Sequence, residues 1–245
     1  MNCWIRLKNI QKNKLEVISN CHSSSSMKYT VFNPTPFESH RLVLDKINEN
    51  SKVLDLGCAT GYFDRELIKK DCEVYGVDVD AESVKEAKKY CRKTAVLDLE
   101  RTKRFPFGKN SFDYILMLDL IEHLKNPENL LITSKKYLKK EGKIIISTPN
   151  IAFISIRLAL LRGKFQYSNL GIMDETHVKF FTRSTLEKLI KDSGLKIAEM
   201  DCSSGFSQIT QIGKYLNYLP KYIQYEITRR WMSFLAYQFI VTCTF

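Results

Sequence analysis

The chain has 245 residues, 44% of them hydrophobic, and a net charge of +11, enough for one domain whose core needs no disulfide or metal staple. Its seven cysteines are odd in number, scattered and without C-x-x-C spacing, which excludes a disulfide framework or a zinc site and fits a reducing, cytoplasmic setting. No run of eighteen apolar residues occurs, so no transmembrane helix is expected, and the positive charge favours an anionic partner without choosing among RNA, a phosphorylated metabolite and a membrane surface.

Arg6, Lys8, Lys12 and Lys14 interrupt the first apolar pairs, so the N-terminus lacks the continuous apolar core of a signal peptide and export is not expected. Residues 15–30, with Ser23 to Ser26, read as a flexible lead-in. Residues 1–45 are taken as lead-in and helix, and 46–245 as one domain.

From Lys52 to Phe63 the pattern is a buried strand, a glycine-rich turn and a helix. Val53, Leu54 and Leu56 suit a strand covered on both faces, while Gly57 and Gly61 permit a tight turn and close approach to a ligand. The loop's amides are expected to point at that ligand from a helix N-terminus. Seventeen positions after Gly61, the apolar strand Glu73–Asp78 ends in a carboxylate, the spacing expected when an acidic residue holds ribose hydroxyls. A dinucleotide site wants three glycines; Ala59 replaces the middle one, so the ligand is expected to lack a pyrophosphate.

Further along, Ala95–Leu99 reads as a third strand, Ser111–Leu118 as a fourth and Gly142–Asn150 as a fifth. Between the last two, Asn126-Pro127 opens a helix with a stripe of Leu130, Leu131, Ser134, Tyr137 and Leu138, closed by Gly142. Ser184-Thr185-Leu186-Glu187 reads as a capping box, Gly194 ends that helix, and strands follow near Leu195–Met200 and Phe234–Cys243. This alternation predicts an α/β, doubly wound sheet. Lys85, Lys88, Lys89, Arg92 and Lys93, like Lys135, Lys136, Lys139 and Lys140, are expected on solvated helix faces.

Two inserts, residues 151–181 and 203–232, exceed a minimal alternation and are candidates for an acceptor lid. Ile151–Phe165 reads as a basic amphipathic helix packed over the pocket, with Arg157, Arg162 and Lys164 suited to phosphate, a lipid-linked sugar or peripheral membrane contact. Tyr215, Tyr218, Tyr222, Tyr225 and Trp231 are expected in core or lid packing.

With these motifs in order, the chain from about Val53 to Phe245 resembles the class I S-adenosylmethionine (SAM) methyltransferases. Their first motif typically runs D-L-G-C-G-T-G, and their second strand ends G-V-D, as Gly76-Val77-Asp78 does. The resemblance implies a Rossmann-like, seven-stranded sheet whose last strand enters antiparallel between the fifth and sixth. It also implies SAM at Asp55, Gly57, Cys58, Ala59, Gly61, Asp78, Asp98, Leu99 and Leu118, with Asp98 at the adenine and Cys58 present merely as a small side chain.

Methyl transfer needs the acceptor lone pair in line with the S–CH3 bond, and a hydroxyl acceptor must also lose its proton to a base or beside a cation. Glu122, His123 and His177 are the catalytic candidates. The stretch Asp174–Arg183 resembles one in many sugar and quinone methyltransferases. It also resembles one in the small-RNA 3′-terminal 2′-O-methyltransferases, which bind a divalent ion through an E-x-x-E-H turn and a later histidine. The matching positions are Asp119, Glu122, His123 and His177, a donor set suited to Mg²⁺ or Mn²⁺. The structural alternatives are a scaffold role for Glu122-His123-Leu124 and a hydrogen-bonded strut at His177. The leading expectation is O-methylation of a small molecule, glycan or lipid-linked precursor. The alternatives are a metal-dependent RNA 2′-O-methyltransferase and a non-catalytic SAM-binding module.

Overall fold

The computed structural model describes residues 31–206 and 218–245. The expected flexible lead-in over residues 15–30, the basic stretch before it, and Tyr215 lie outside the described residues. In chain order the elements are α1 (Ser39–Asp45), β1 (Lys52–Leu56), α2 (Asp64–Ile68), β2 (Glu73–Asp78), α3 (Ala81–Ala87), β3 (Lys93–Val96) and β4 (Phe112–Leu118). A 3-10 turn (Ile121–His123), α4 (Pro127–Lys135), β5 (Leu138–Pro149), α5 (Ile154–Leu161), α6 (Arg183–Asp192), β6 (Lys196–Ser204), α7 (Lys221–Arg230), α8 (Met232–Leu235) and β7 (Ala236–Thr244) follow.

The seven strands form one sheet in the order β3-β2-β1-β4-β5-β7-β6, with β7 antiparallel to both neighbours and the other pairs parallel. β1, β2 and β4 are apolar on both faces because helices cover both faces. Leu54, Leu56, Ile115 and Met117 face the side of α4 and α6, packing with Leu130, Leu131, Leu186 and Ile190. Their neighbours Val53, Tyr114, Leu116 and Leu118 face α1 and α2, packing with Val43, Leu44, Phe63 and Leu67. Each such fully buried side chain contributes roughly 1.5–3 kcal/mol of transfer free energy. The chain winds outward from β1 to β3 and returns at β4, so the crevice at the ends of β1 and β4 is the switch point where such sheets bind ligands.

Several boundaries differ from expectation. Helix α4 ends at Lys135, and Leu138 already belongs to β5, pairing with Phe112 before a register shift. Gly142 therefore lies inside a strand rather than closing a helix; a Cβ there would meet Leu138 Cγ at 2.7 Å and the Phe112 carbonyl at 2.9 Å. Tyr137 leaves the stripe to bond with its hydroxyl to both the amide and the carbonyl of Phe105. The capping box falls two residues earlier than expected, between Thr182 and Thr185, and Glu187 instead pairs with Arg183. β3 stops at Val96, leaving Asp98 and Leu99 in the following turn.

The inserts are packed in part: Ile172, Met173, His177 and Phe181 of the first and Gln224, Tyr225 and Thr228 of the second are buried. Phe153 is buried, but α5 buries none of its residues, and Leu160, Leu161, Phe165, Tyr167 and Leu170 are exposed. Among the described tail aromatics only Tyr225 is buried; Tyr218, Tyr222 and Trp231 face solvent. The Arg157 guanidinium lies 4.4 Å over the Phe234 ring, tying the first insert to α8.

Candidate active site

The turn after β1 bends through positive φ at Gly57 (85°), Ala59 (45°) and Gly61 (76°). Gly57 is a close-approach position, since a Cβ would stand 3.1 Å from Leu120 Cδ1. At Gly61 the missing Cβ makes room for α3 and Tyr90, with Ala87 Cα and Tyr90 Cδ2 each 3.0 Å away, so this glycine is required by packing. The amides are not free as expected: Gly57 and Cys58 donate to the Val77 carbonyl, Ala59 to Asp78 Oδ2 and Gly61 to the Cys58 carbonyl. The loop is a shaped cradle, held by its own hydrogen bonds.

Asp78 accepts from Ala59 N–H through Oδ2 (2.8 Å) and from Asp80 N–H through Oδ1 (3.0 Å). A carboxylate has about four lone-pair sites, so capacity for ribose hydroxyls remains. Leu118 and Leu99 are buried, whereas Asp98 is exposed and caps its own turn at Glu100 N–H. Cys58 is buried against Gly76, where a Cβ would stand 2.9 Å from its Sγ and 3.0 Å from that of Cys91. Asp55 and Asp64 are both buried; Asp64 Oδ2 accepts from the Cys91 thiol at 3.1 Å, and neither Asp55 Oδ1 nor Asp64 Oδ1 has a hydrogen-bond partner. Burial raises the pKa of both carboxyls, that of Asp55 further through the neighbouring Asp64 and that of Asp64 to about 6. The positive-φ cradle, the close approach at Gly57 and the Asp78 carboxylate fit a nucleoside donor without a pyrophosphate.

Beyond β4, Asp119 adopts φ 48° and the 3-10 turn brings Glu122 and His123 beneath the strap that carries His177. The Glu122 carbonyl fixes that strap by accepting from Val178 and Lys179 N–H at 2.9 and 3.0 Å. Glu122, His123 and His177 each offer a ligand atom, and these atoms lie within 4.8 Å of one another. Because a carbonyl only accepts, His123 Nδ1 donates to Thr176 (3.3 Å) and His177 Nδ1 to Ile172 (3.1 Å), leaving each neutral ring with its lone pair on Nε2. Burial and the neighbouring His177 lower the pKa of His123. Glu122 is buried, accepts from Thr148 Oγ1 at 3.0 Å through Oε2, and has no hydrogen-bond partner at Oε1. Burial and Asp119 raise its pKa well above the usual carboxylate range. Asp119 stands apart from this trio: its Oδ1 accepts from Ser147 Oγ (3.2 Å) and Gln238 Nε2 (2.7 Å).

Sequence reasoning missed His40. Packing of Val43, Leu44 and Ile47 seats α1 against the sheet, placing the His40 ring against Tyr62 at 5.3 Å between centroids and within reach of the Asp119 charge. Thr148, Gln238 and Asp64 were missed as well. Scarcity was the available signal for His40, because the chain has four histidines and all three in the described residues converge on this crevice.

The family model for a methyltransferase domain matches residues 34–200. The ubiquinone biosynthesis O-methyltransferase of Pelagibacter ubique is 26% identical over 187 residues, covering 74% of this chain and 78% of that protein. The protein of the same name from Psychrobacter arcticus is 25% identical over 149 residues, 58% of each chain. A solved SAM-dependent methyltransferase from Aquifex aeolicus shares the fold with a TM-score of 0.57 and 18% identity, over 90% of this chain and 96% of its own. Since the family match takes in the glycine loop, Asp78 and the Glu122, His123 and His177 cluster, the chain belongs to the methyltransferase domain family and is a SAM-dependent methyltransferase.

Proposed function

We propose that the chain transfers the SAM methyl group to an oxygen of a small molecule, and that Glu122, His123 and His177 hold a divalent cation beside the acceptor. The observation that carries this reading is that Glu122, His123 and His177 each bring a ligand atom within 4.8 Å of the others, while both Nδ1 atoms are bonded to carbonyls and Glu122 Oε1 has no hydrogen-bond partner. Two imidazoles and a carboxylate suit Mn²⁺ or, less well, Mg²⁺. Such an ion, when bound, lowers the pKa of an acceptor hydroxyl. The chain's own residues contribute position: backbone carbonyls fix both imidazole tautomers, Thr148 fixes the Glu122 carboxylate, and the Gly57–Gly61 cradle holds the donor. The names of the two curated relatives support an oxygen acceptor, and the five described cysteines, all free thiols, support a reducing, cytoplasmic setting.

The acceptor class is read from the first insert. From Asn150 to Met173 there is no acidic residue, while Arg157, Arg162 and Lys164 flank exposed Leu160, Leu161 and Phe165. That combination suits an amphiphilic or lipid-linked acceptor met at an anionic lipid surface. No helix among the described residues is long and apolar enough to cross a membrane.

The test is methyl transfer from labelled SAM to a panel of phenols, prenylated phenols, polyprenyl-linked sugars and RNA 3′ ends, in EDTA and with Mn²⁺. Metal-stimulated O-methylation of an amphiphilic small molecule, lost in His177→Ala, is expected. Preferred transfer to RNA that falls steeply with salt would replace this reading with the RNA one.

A further inference from the structure

We propose that His40 is a positioning residue for the methyl donor: its Nε2–H, beside the Tyr62 hydroxyl, binds the α-carboxylate of the methionyl end of SAM. The inference rests on the donor site described above and assigns its amino-acid end. Three observations carry it.

The first is what the loop lacks. The amides of Gly57, Cys58, Ala59 and Gly61 all donate within the protein, so none of these four amides is available to a carboxylate, and a side-chain donor at the loop's edge gains importance.

The second is the tautomer. Asn33 N–H donates to His40 Nδ1 at 3.0 Å, and a backbone amide only donates, so in the neutral ring the proton sits on Nε2. This is the reverse of His123 and His177, whose Nε2 atoms are acceptors. His40 therefore presents a donor to the crevice, suited to an anion, where the other two present lone pairs suited to a cation or a proton.

The third is placement. The ring is held in an aromatic box, stacked on Phe32 at 5.7 Å and set against Tyr62 and Phe63, with Nε2 3.5 Å from the Tyr62 hydroxyl on the residue after Gly61. That contact is long for a hydrogen bond, so a charged acceptor would compete well for this N–H. Asp119 lies close enough for its charge to act on His40, so the crevice offers a donor and a carboxylate, complementary to the carboxylate and ammonium of a zwitterion.

Calorimetric titration with S-adenosylhomocysteine and with 5′-methylthioadenosine, which lacks the amino-acid group, tests this. His40→Ala is expected to weaken S-adenosylhomocysteine about 10- to 100-fold, the worth of a charge-assisted hydrogen bond, and to leave 5′-methylthioadenosine unchanged. His40→Gln, whose amide can donate from a similar position, is expected to recover part of the loss. Equal weakening of both ligands would mean a merely structural role, and no weakening would mean no contact; either result overturns the proposal. Failure of the unsubstituted protein to bind S-adenosylhomocysteine would instead overturn the donor site itself.

Discussion

His123 and His177 meet edge to face, ring centroids 4.8 Å apart, and both are oriented by backbone carbonyls of one strap, those of Thr176 and Ile172. The strap, not the helix or strand cores, sets the chemistry of the site. It returns to Glu122 through two amide N–H hydrogen bonds, so one connected frame holds the three groups.

Divalent-ion binding is expected to be proton-linked. Glu122 has a raised pKa and must ionise to bind a cation, whereas the lowered pKa of His123 favours its neutral, ligating form. Mn²⁺ affinity should therefore rise with pH until the raised Glu122 pKa is passed, by up to about tenfold per unit for one released proton. Calorimetry in buffers of different ionisation enthalpy measures the release. Affinity that is flat with pH would remove Glu122 from the ligand set.

The Asp55–Asp64 pair gives stability the opposite pH slope from an ordinary surface carboxylate. A carboxyl whose folded pKa is raised binds its proton more tightly when folded, so its stabilising effect is complete below the unfolded value near 4 and is lost as pH rises through about 6, where Asp64 titrates. Asp64→Asn should be more stable than the natural chain at pH 8, on the order of 2 kcal/mol, with the gap closing towards pH 5. Thermal melts across that range decide it, and a gap that grows on acidification would contradict it.

Ala59 holds φ 45°, a left-handed conformation that costs a residue with a Cβ about 1–2 kcal/mol. After the greater chain entropy of glycine is subtracted, Ala59→Gly should gain up to about 1 kcal/mol. In a domain of this size that is a rise of roughly 2–4 °C in Tm. A fall in Tm would show that the alanine methyl makes a packing contact worth more than the strain.

The exposed face of α5 predicts a surface phenotype without a stability phenotype. Leu161 is 83% exposed and Phe165 51%, so Leu161→Glu with Phe165→Glu should leave Tm within about 1 °C. The pair should abolish co-flotation with vesicles of anionic phospholipid. Vesicle binding that survives both changes would move the contact away from this insert.

Legibility followed burial. β1, β2 and β4 were readable because continuous apolar runs between turn residues leave few alternatives, and Asp78 followed from its place at a strand tip. The α4–β5 border was not, because Tyr137 and Leu138 continue the helical spacing of Leu130, Leu131 and Ser134 although the chain has already turned extended. The Glu122, His123 and His177 cluster was visible as a resemblance between two distant stretches; that Asp119 turns instead to Ser147 and Gln238 depends on β7, more than a hundred residues away. His40 and Asp64 were missed for one reason: each looks like an ordinary polar residue of a short helix, and only tertiary packing carries it inside. The use of the loop amides by Val77, Asp78 and Cys58 depends on φ values that the glycine spacing suggests but does not fix.

The most direct measurement is the thermal stability of the chain with S-adenosylhomocysteine, first in EDTA and then with excess Mn²⁺, for the natural sequence, Asp78→Ala and His177→Ala. A ligand that binds only the folded state raises Tm by mass action. The account predicts a nucleoside-dependent rise in EDTA that Asp78→Ala removes, and a further Mn²⁺-dependent rise that His177→Ala alone removes. A nucleoside response indifferent to Asp78→Ala, or a Mn²⁺ response that persists in His177→Ala, would contradict it.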